Sequence, residues 1–243
     1  MSSIEQHLID RGDGGRVELF LARPAGPQNG AILFVHGNQG GLLLGGKEAV
    51  ENGPLVRFSS RLRVTAAAIS QPGFGASDGP ADFCGPITQK AIVAALEFLK
   101  RQPSVDPARI GLYGNSRGAV ASAMVATKVR SLRALILTGG VYDLQRAYAS
   151  SPRGLQQAIR KEAGVTNESF LDRSALHFSH RIRAETMILH GRYDDRGWCP
   201  TEWCNLCGSR GLSGAFAKRS EARAVRLAAT VVLRLRFGLQ TDL

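Results

Sequence analysis

A chain of 243 residues with 44% hydrophobic content can bury one sizeable core, and α/β folds of about 250 residues often form a single unit. Its 31 Lys+Arg against 20 Asp+Glu leave a formal charge of +11, yet no basic run is interleaved with aromatics, which argues against a nucleic-acid partner. No run of about eighteen apolar residues offers a membrane span, and Met-Ser-Ser-Ile-Glu-Gln-His lacks the apolar centre of a signal peptide.

A cytoplasmic location is therefore expected, and cysteine usage agrees. Of Cys84, Cys199, Cys204 and Cys207, three crowd one short stretch rather than spreading as a disulfide framework does.

In chain order, apolar β-rich runs fall at 17–21, 31–35, 64–69, 109–113, 134–138 and 186–190, with helical patterns between most of them. That alternation predicts an α/β fold, a mostly parallel central sheet with helices on both faces. Over 86–102, Ile87, Ala91, Val93, Ala94, Leu96, Phe98 and Leu99 give a helical apolar face that ends at Pro103. Asp106-Pro107 then turns the chain into the next strand. Between 141 and 183, candidate helices near 153–163 and 167–173 form either a small lid or an ordinary crossover. After Arg196 the character changes: both tryptophans, three cysteines and a string of Arg, Leu and Ala follow. The expected organisation is a domain over 1–196 and an atypical tail over 197–243, with the C-terminal part incomplete or irregular.

Chemistry concentrates at strand ends, where ligands of such sheets sit. Gly114-Asn115-Ser116-Arg117-Gly118 stands between an apolar strand and a small-residue helical run, the setting of a nucleophile elbow. Gly114 and Gly118 let the backbone turn sharply, so Ser116 is the candidate nucleophile. His36-Gly37-Asn38-Gln39-Gly40-Gly41 follows the second run as a glycine-rich loop whose backbone N–H, best placed at Asn38, pairs with the N–H of Arg117 as a candidate oxyanion hole. His36 and Gly37 serve as structural parts of that loop. Gln71-Pro-Gly-Phe-Gly-Ala-Ser-Asp-Gly-Pro80 forms a further loop at the same edge, with a structural role. Past the last clear strand, Asp194 is the candidate acid that would orient a histidine, with Asp195 as its alternative.

These pieces together resemble the α/β-hydrolase superfamily, and within it the prolyl oligopeptidase and dienelactone hydrolase-like branch. The resemblance rests on the loop at 36–41, Gly73 to Pro80, Asp106 to Gly118, Arg173-Ser-Ala-Leu-His177 and His190-Gly-x-x-Asp-Asp-Arg196, and covers about 15–196. It implies a serine hydrolase acting on ester, amide or peptide bonds of small molecules or short peptides, with no metal and no organic cofactor. Oligomeric state is left open.

One departure weakens this picture. The superfamily order is Ser, Asp, His, and no histidine occurs after His190. His177 and His180 precede the last clear strand, about 16 Å from its catalytic edge at roughly 3.3 Å per residue. His36 and His190 lie at the right edge but inside tight turns. A reading-frame shift or equivalent replacement near residue 197 is the expectation that follows, with 231–237 imitating a lost strand. A catalytically inactive, hydrolase-fold binding protein is the alternative. Cys199-x4-Cys204-x2-Cys207 has part of an iron–sulfur spacing, but its fourth thiolate would have to come from Cys84, far upstream.

Overall fold

The computed structural model describes residues 4–26, 29–51, 53–191 and 213–217, with backbone alone for 190–191 and 213–217. Within them, one sheet holds β1 (Ile4–Asp10), β2 (Arg16–Ala22), β3 (Asn29–Val35), β4 (Thr65–Ile69), β5 (Val105–Asn115), β6 (Ala134–Thr138), β7 (Glu185–Gly191) and β8 (Ser213–Ala217). Their spatial order is β1-β2-β4-β3-β5-β6-β7-β8. β2 runs antiparallel to both of its neighbours, and every pairing from β4 across to β8 is parallel. The six runs expected from sequence all fall in β2 to β7.

Burial on both faces explains why these strands carry near-continuous apolar runs rather than alternation. Successive residues of β3 serve opposite layers. Leu33 packs with Ile92 and Leu96 of α3 (Pro86–Lys100) and Val125 of α4 (Arg117–Ala126). Ile32 on the other side belongs to the cluster that includes Leu55 and Leu62 of α2 (Pro54–Leu62), which follows the short α1 (Lys47–Glu51). α3 starts where the sequence pattern places it. The Asp82 carboxylate accepts from Ile87 N–H at 2.7 Å, Thr88 N–H at 3.1 Å and the Thr88 hydroxyl at 2.5 Å, satisfying first-turn donors that a helix leaves open.

Two strands escape the sequence pattern. On the edge strand β1, Ile4 and Leu8 are 37% and 49% exposed while Glu5 and His7 face inward, so the usual polarity is reversed. Glu5 is held by Arg23 at 2.8 Å, and the His7 ring lies 5.1 Å from Phe98. β8 is Ser-Gly-Ala-Phe-Ala, a composition with little strand preference, and it pairs with β7 from Met187 through Gly191. The tail thus contributes a strand to the sheet at 213–217, whereas 231–237 lies outside the described residues.

β5 also differs from expectation. Val105 pairs with Asn29 and Ile110 with Ala31, so Asp106-Pro107 sits inside a bulge of one long strand rather than before it. The segment between β6 and β7 carries α5 (Leu144–Ser150), α6 (Arg153–Ala163), α7 (Asn167–Leu171) and a 3₁₀ turn over Ala175–Arg181.

Leu33 is fully buried at the centre of the sheet. Leu33→Ala is expected to cost about 2–5 kcal/mol in chemical denaturation, against less than about 0.5 kcal/mol for Leu42→Ala at a 72% exposed position.

Candidate active site

Ser116 stands between β5 and α4 with φ 50° and ψ −115°, a left-handed conformation that L-residues seldom adopt. Its N–H donates to the Thr138 carbonyl at 2.7 Å, and its own carbonyl accepts from Ala119 N–H at 2.9 Å. The side chain is exposed, while Arg117 and every other residue of α4 are buried. The two glycines are required on each side. A Cβ at Gly114 would lie 2.5 Å from the Gly118 carbonyl oxygen. One at Gly118 would overlap the Val35 carbonyl oxygen and approach the His36 carbonyl oxygen to 2.6 Å. Both obstacles are backbone, so neither can swing away.

The loop after β3 meets this turn directly. A Cβ at Gly37 would come within 3.1 Å of the Ser116 Cβ and of the Asn115 carbonyl oxygen. Asn38, the next residue, is exposed. Arg117 is the first residue of α4, so its N–H has no intrahelical partner, and the helix dipole adds positive potential beside the serine. The 36–41 loop and the elbow, read separately in sequence, are therefore brought together. Asp194 and Asp195 lie outside the described residues. His177 and His180 are exposed on the 3₁₀ turn that precedes the amino end of β7.

His36 is completely buried, and both ring nitrogens are engaged. Nδ1 lies 2.8 Å from the Gly37 carbonyl, to which it donates, and Nε2 accepts from Gln71 N–H at 3.1 Å. Burial lowers the imidazole from its ordinary 6.5 to about 4, with nearby Arg117 acting in the same direction. A neutral ring wired this way braces two loops and has no nitrogen left for a serine hydroxyl.

Phe74 packs edge-on against His36 at 4.8 Å. Its loop is set by Gly73 and Gly75, at φ 82° and 53°. Glu18 fixes it from below, accepting from Ser70 Oγ at 2.5 Å and Ala76 N–H at 3.1 Å.

Phe83 and Glu162, which surround the Arg117 side chain, carry no sequence motif of their own. The Arg117 guanidinium lies 5.5 Å from the Phe74 ring centre and 5.0 Å from that of Phe83, and its Nη2 pairs with Glu162 of α6 at 2.5 Å. Arg173 donates to the carbonyls of Asp82, Phe83 and Ser169 at 2.7–3.2 Å. Cys84 Sγ donates to the Arg117 carbonyl at 3.1 Å, and burial pushes its thiol up to about 12. The Arg173-Ser-Ala-Leu-His177 run gave the one hint; Glu162 gave none. The tail cysteines Cys199, Cys204 and Cys207 lie outside the described residues. Among the described residues no group of His, Cys, Asp and Glu is arranged to hold a metal ion, and no helix is long and apolar enough to cross a membrane.

A mostly parallel sheet with an antiparallel second strand, and a serine elbow roofed by a glycine loop, define an α/β-hydrolase fold. Solved structures agree. A puromycin-hydrolyzing peptidase of Mycobacterium tuberculosis superposes with a TM-score of 0.82 at 18% identity, over 99% of this chain and 40% of that one. An esterase of Pyrococcus furiosus gives 0.73 at 15% identity, over 98% and 92%. The profile of the prolyl oligopeptidase family matches residues 85–213, and the chain belongs to that family of hydrolases. Among curated relatives, the uncharacterized peptidase YtmA of Bacillus subtilis is 28% identical over 188 residues, 75% of this chain and 70% of that one. The uncharacterized peptidase YuxL of the same organism is 26% identical over 124 residues, and the match spans only 19% of its length.

Gly118→Ala is expected to lower the melting temperature markedly, because a Cβ has no space against two carbonyls. Calorimetry of the variant beside the conservative Ala119→Gly checks this. His36 also makes stability depend on pH. Between pH 6.5 and 4 the unfolded chain takes up a proton that the folded chain refuses, so stability falls as pH drops through this window and is full above it. The loss approaches about 3 kcal/mol. Urea unfolding at pH 7 and pH 4.5 should show a smaller difference in His36→Gln than in the unsubstituted chain.

Proposed function

We propose that this chain is a serine hydrolase that cleaves ester, amide or peptide bonds through an acyl-enzyme at Ser116. The observation that carries this reading is the exposed Ser116 hydroxyl on a left-handed turn whose flanking glycines admit no Cβ. In the proposed step, Ser116 Oγ attacks the substrate carbonyl carbon and its proton passes to a base. The N–H groups of Asn38 and Arg117 receive the developing oxyanion. Collapse expels the alcohol or amine, and water then releases the acid. Asp194 is the acid assigned to orient a histidine. Membership of the prolyl oligopeptidase family and similarity to peptidases and esterases support small molecules or short peptides as substrates.

The identity of the base decides between two readings. Both His36 nitrogens are occupied and His177 and His180 precede the wrong end of β7, while His190, expected in a tight turn, lies within β7 near its carboxyl end and pairs with Phe216 of β8. A serine that no base reaches loses on the order of 10⁶ in kcat and keeps roughly 10³–10⁴ over water from the hole and binding. This same observation favours a second reading, a catalytically inactive binding protein with a hydrolase fold.

A fluorophosphonate probe separates the two. Slow labelling of Ser116, located by peptide mass spectrometry and absent in Ser116→Ala, is expected of a crippled hydrolase. Complete silence over hours at saturating probe supports the binder. Hydrolysis of short p-nitrophenyl esters and aminoacyl amides should rise steeply when a histidine-bearing C-terminal segment of a homologue replaces 197–243.

A further inference from the structure

The turn at Phe83-Cys84 is the one place among the described residues where two consecutive non-glycine residues take positive φ, and it is gripped from three directions. Phe83 and Cys84 adopt φ 43° and 67°, consecutive left-handed values without a glycine, which cost energy unless neighbours enforce them. Arg173 holds the carbonyl of Phe83 at 2.9 Å, and Cys84 Sγ binds the Arg117 carbonyl. The third grip is Glu162. One oxygen, Oε2, accepts from Phe83 N–H at 3.1 Å and from Arg117 Nη2 at 2.5 Å. A single carboxylate on α6 therefore ties the strained turn, the insertion between β6 and β7, and the residue next to Ser116.

Arg117 is poorly placed to stay ordered without that carboxylate. Its side chain is 8% exposed between two aromatic rings, and no partner among the described residues reaches its buried Nε–H. A buried guanidinium needs a counter-charge, and here Glu162 supplies it at the group's outer nitrogen. We infer that Glu162 is a positioning residue: through Arg117 and the Phe83 turn it fixes the 116–117 peptide, and so makes the reactivity of Ser116 depend on the docked insertion. This rests on the reading of Ser116 as nucleophile. The Arg117 N–H is one of the two oxyanion donors proposed, and such donors act only when held within a few tenths of an ångström of their working place.

Two readouts test it. With a fluorophosphonate, Glu162→Ala should lower the maximal rate of Ser116 labelling by about tenfold or more while leaving the half-saturating probe concentration unchanged. Glu162→Gln retains an oxygen that accepts both hydrogen bonds and should recover part of that rate. Arg160→Ala, on the same helix as Glu162, loses an exposed contact to Tyr148 of α5 and should label like the unsubstituted chain. The second readout does not need a reactive serine. Iodoacetamide alkylation of the Cys84 peptide, followed by mass spectrometry, should accelerate at least about tenfold in Glu162→Ala, because release of the turn uncovers a sealed thiol. Unchanged labelling and unchanged Cys84 alkylation in Glu162→Ala would overturn the inference, as would a labelling loss that Glu162→Gln does not relieve and that tracks melting temperature. A serine that stays inert in the unsubstituted chain sinks the functional reading instead, and Cys84 alone then decides the clamp.

Discussion

Space at two glycines governs the architecture around Ser116. A left-handed serine costs about 1–3 kcal/mol of backbone strain, and it persists only where neighbours over-determine it. Here they do so by exclusion. Position 118 lies against the carbonyls that end β3, and position 114 against the first turn of α4. The approach of α4 to β3 and β5 thus fixes the turn, and the small residues Ala119, Ala121 and Ala123 let the helix come that close. Strand order, helix contact and serine geometry are one constraint expressed at three scales.

How much of this was legible depends on where the cause lies along the chain. The elbow was legible because its cause is local: glycines spaced four apart between a strand and a helix permit few conformations. β2 to β7 were legible because burial on both faces demands long apolar runs. β1 was not, since its outward Ile4 and Leu8 and inward Glu5 and His7 invert the pattern, and only Arg23 and Phe98, distant in sequence, explain the inversion. The turn at 83–84 was hidden for the same reason. Nothing in Phe-Cys announces a positive φ, and its supports, Glu162 and Arg173, lie about eighty and ninety residues further on.

The two histidine questions have one answer in electrostatics. A general base must sit near neutral pKa and present a free nitrogen to the hydroxyl it serves. His36 satisfies neither condition, although it lies at the correct sheet edge and directly after the end of β3. Its burial makes it a strong brace, and a strong brace is a poor base. The two hydrogen bonds that join Gly37 to Gln71 through the ring keep the 36–41 loop against the 71–76 loop.

Charge near the serine is arranged to the same end. Arg117 brings a full positive charge beside Ser116, where the α4 dipole already favours anions, yet the geometry directs that charge to Glu162 and two aromatic faces. The net field at the hydroxyl is then left chiefly to backbone N–H groups, which are fixed dipoles and do not titrate. The ion pair therefore matters less as a source of stability than as the means of holding the Arg117 side chain in one place beside Ser116.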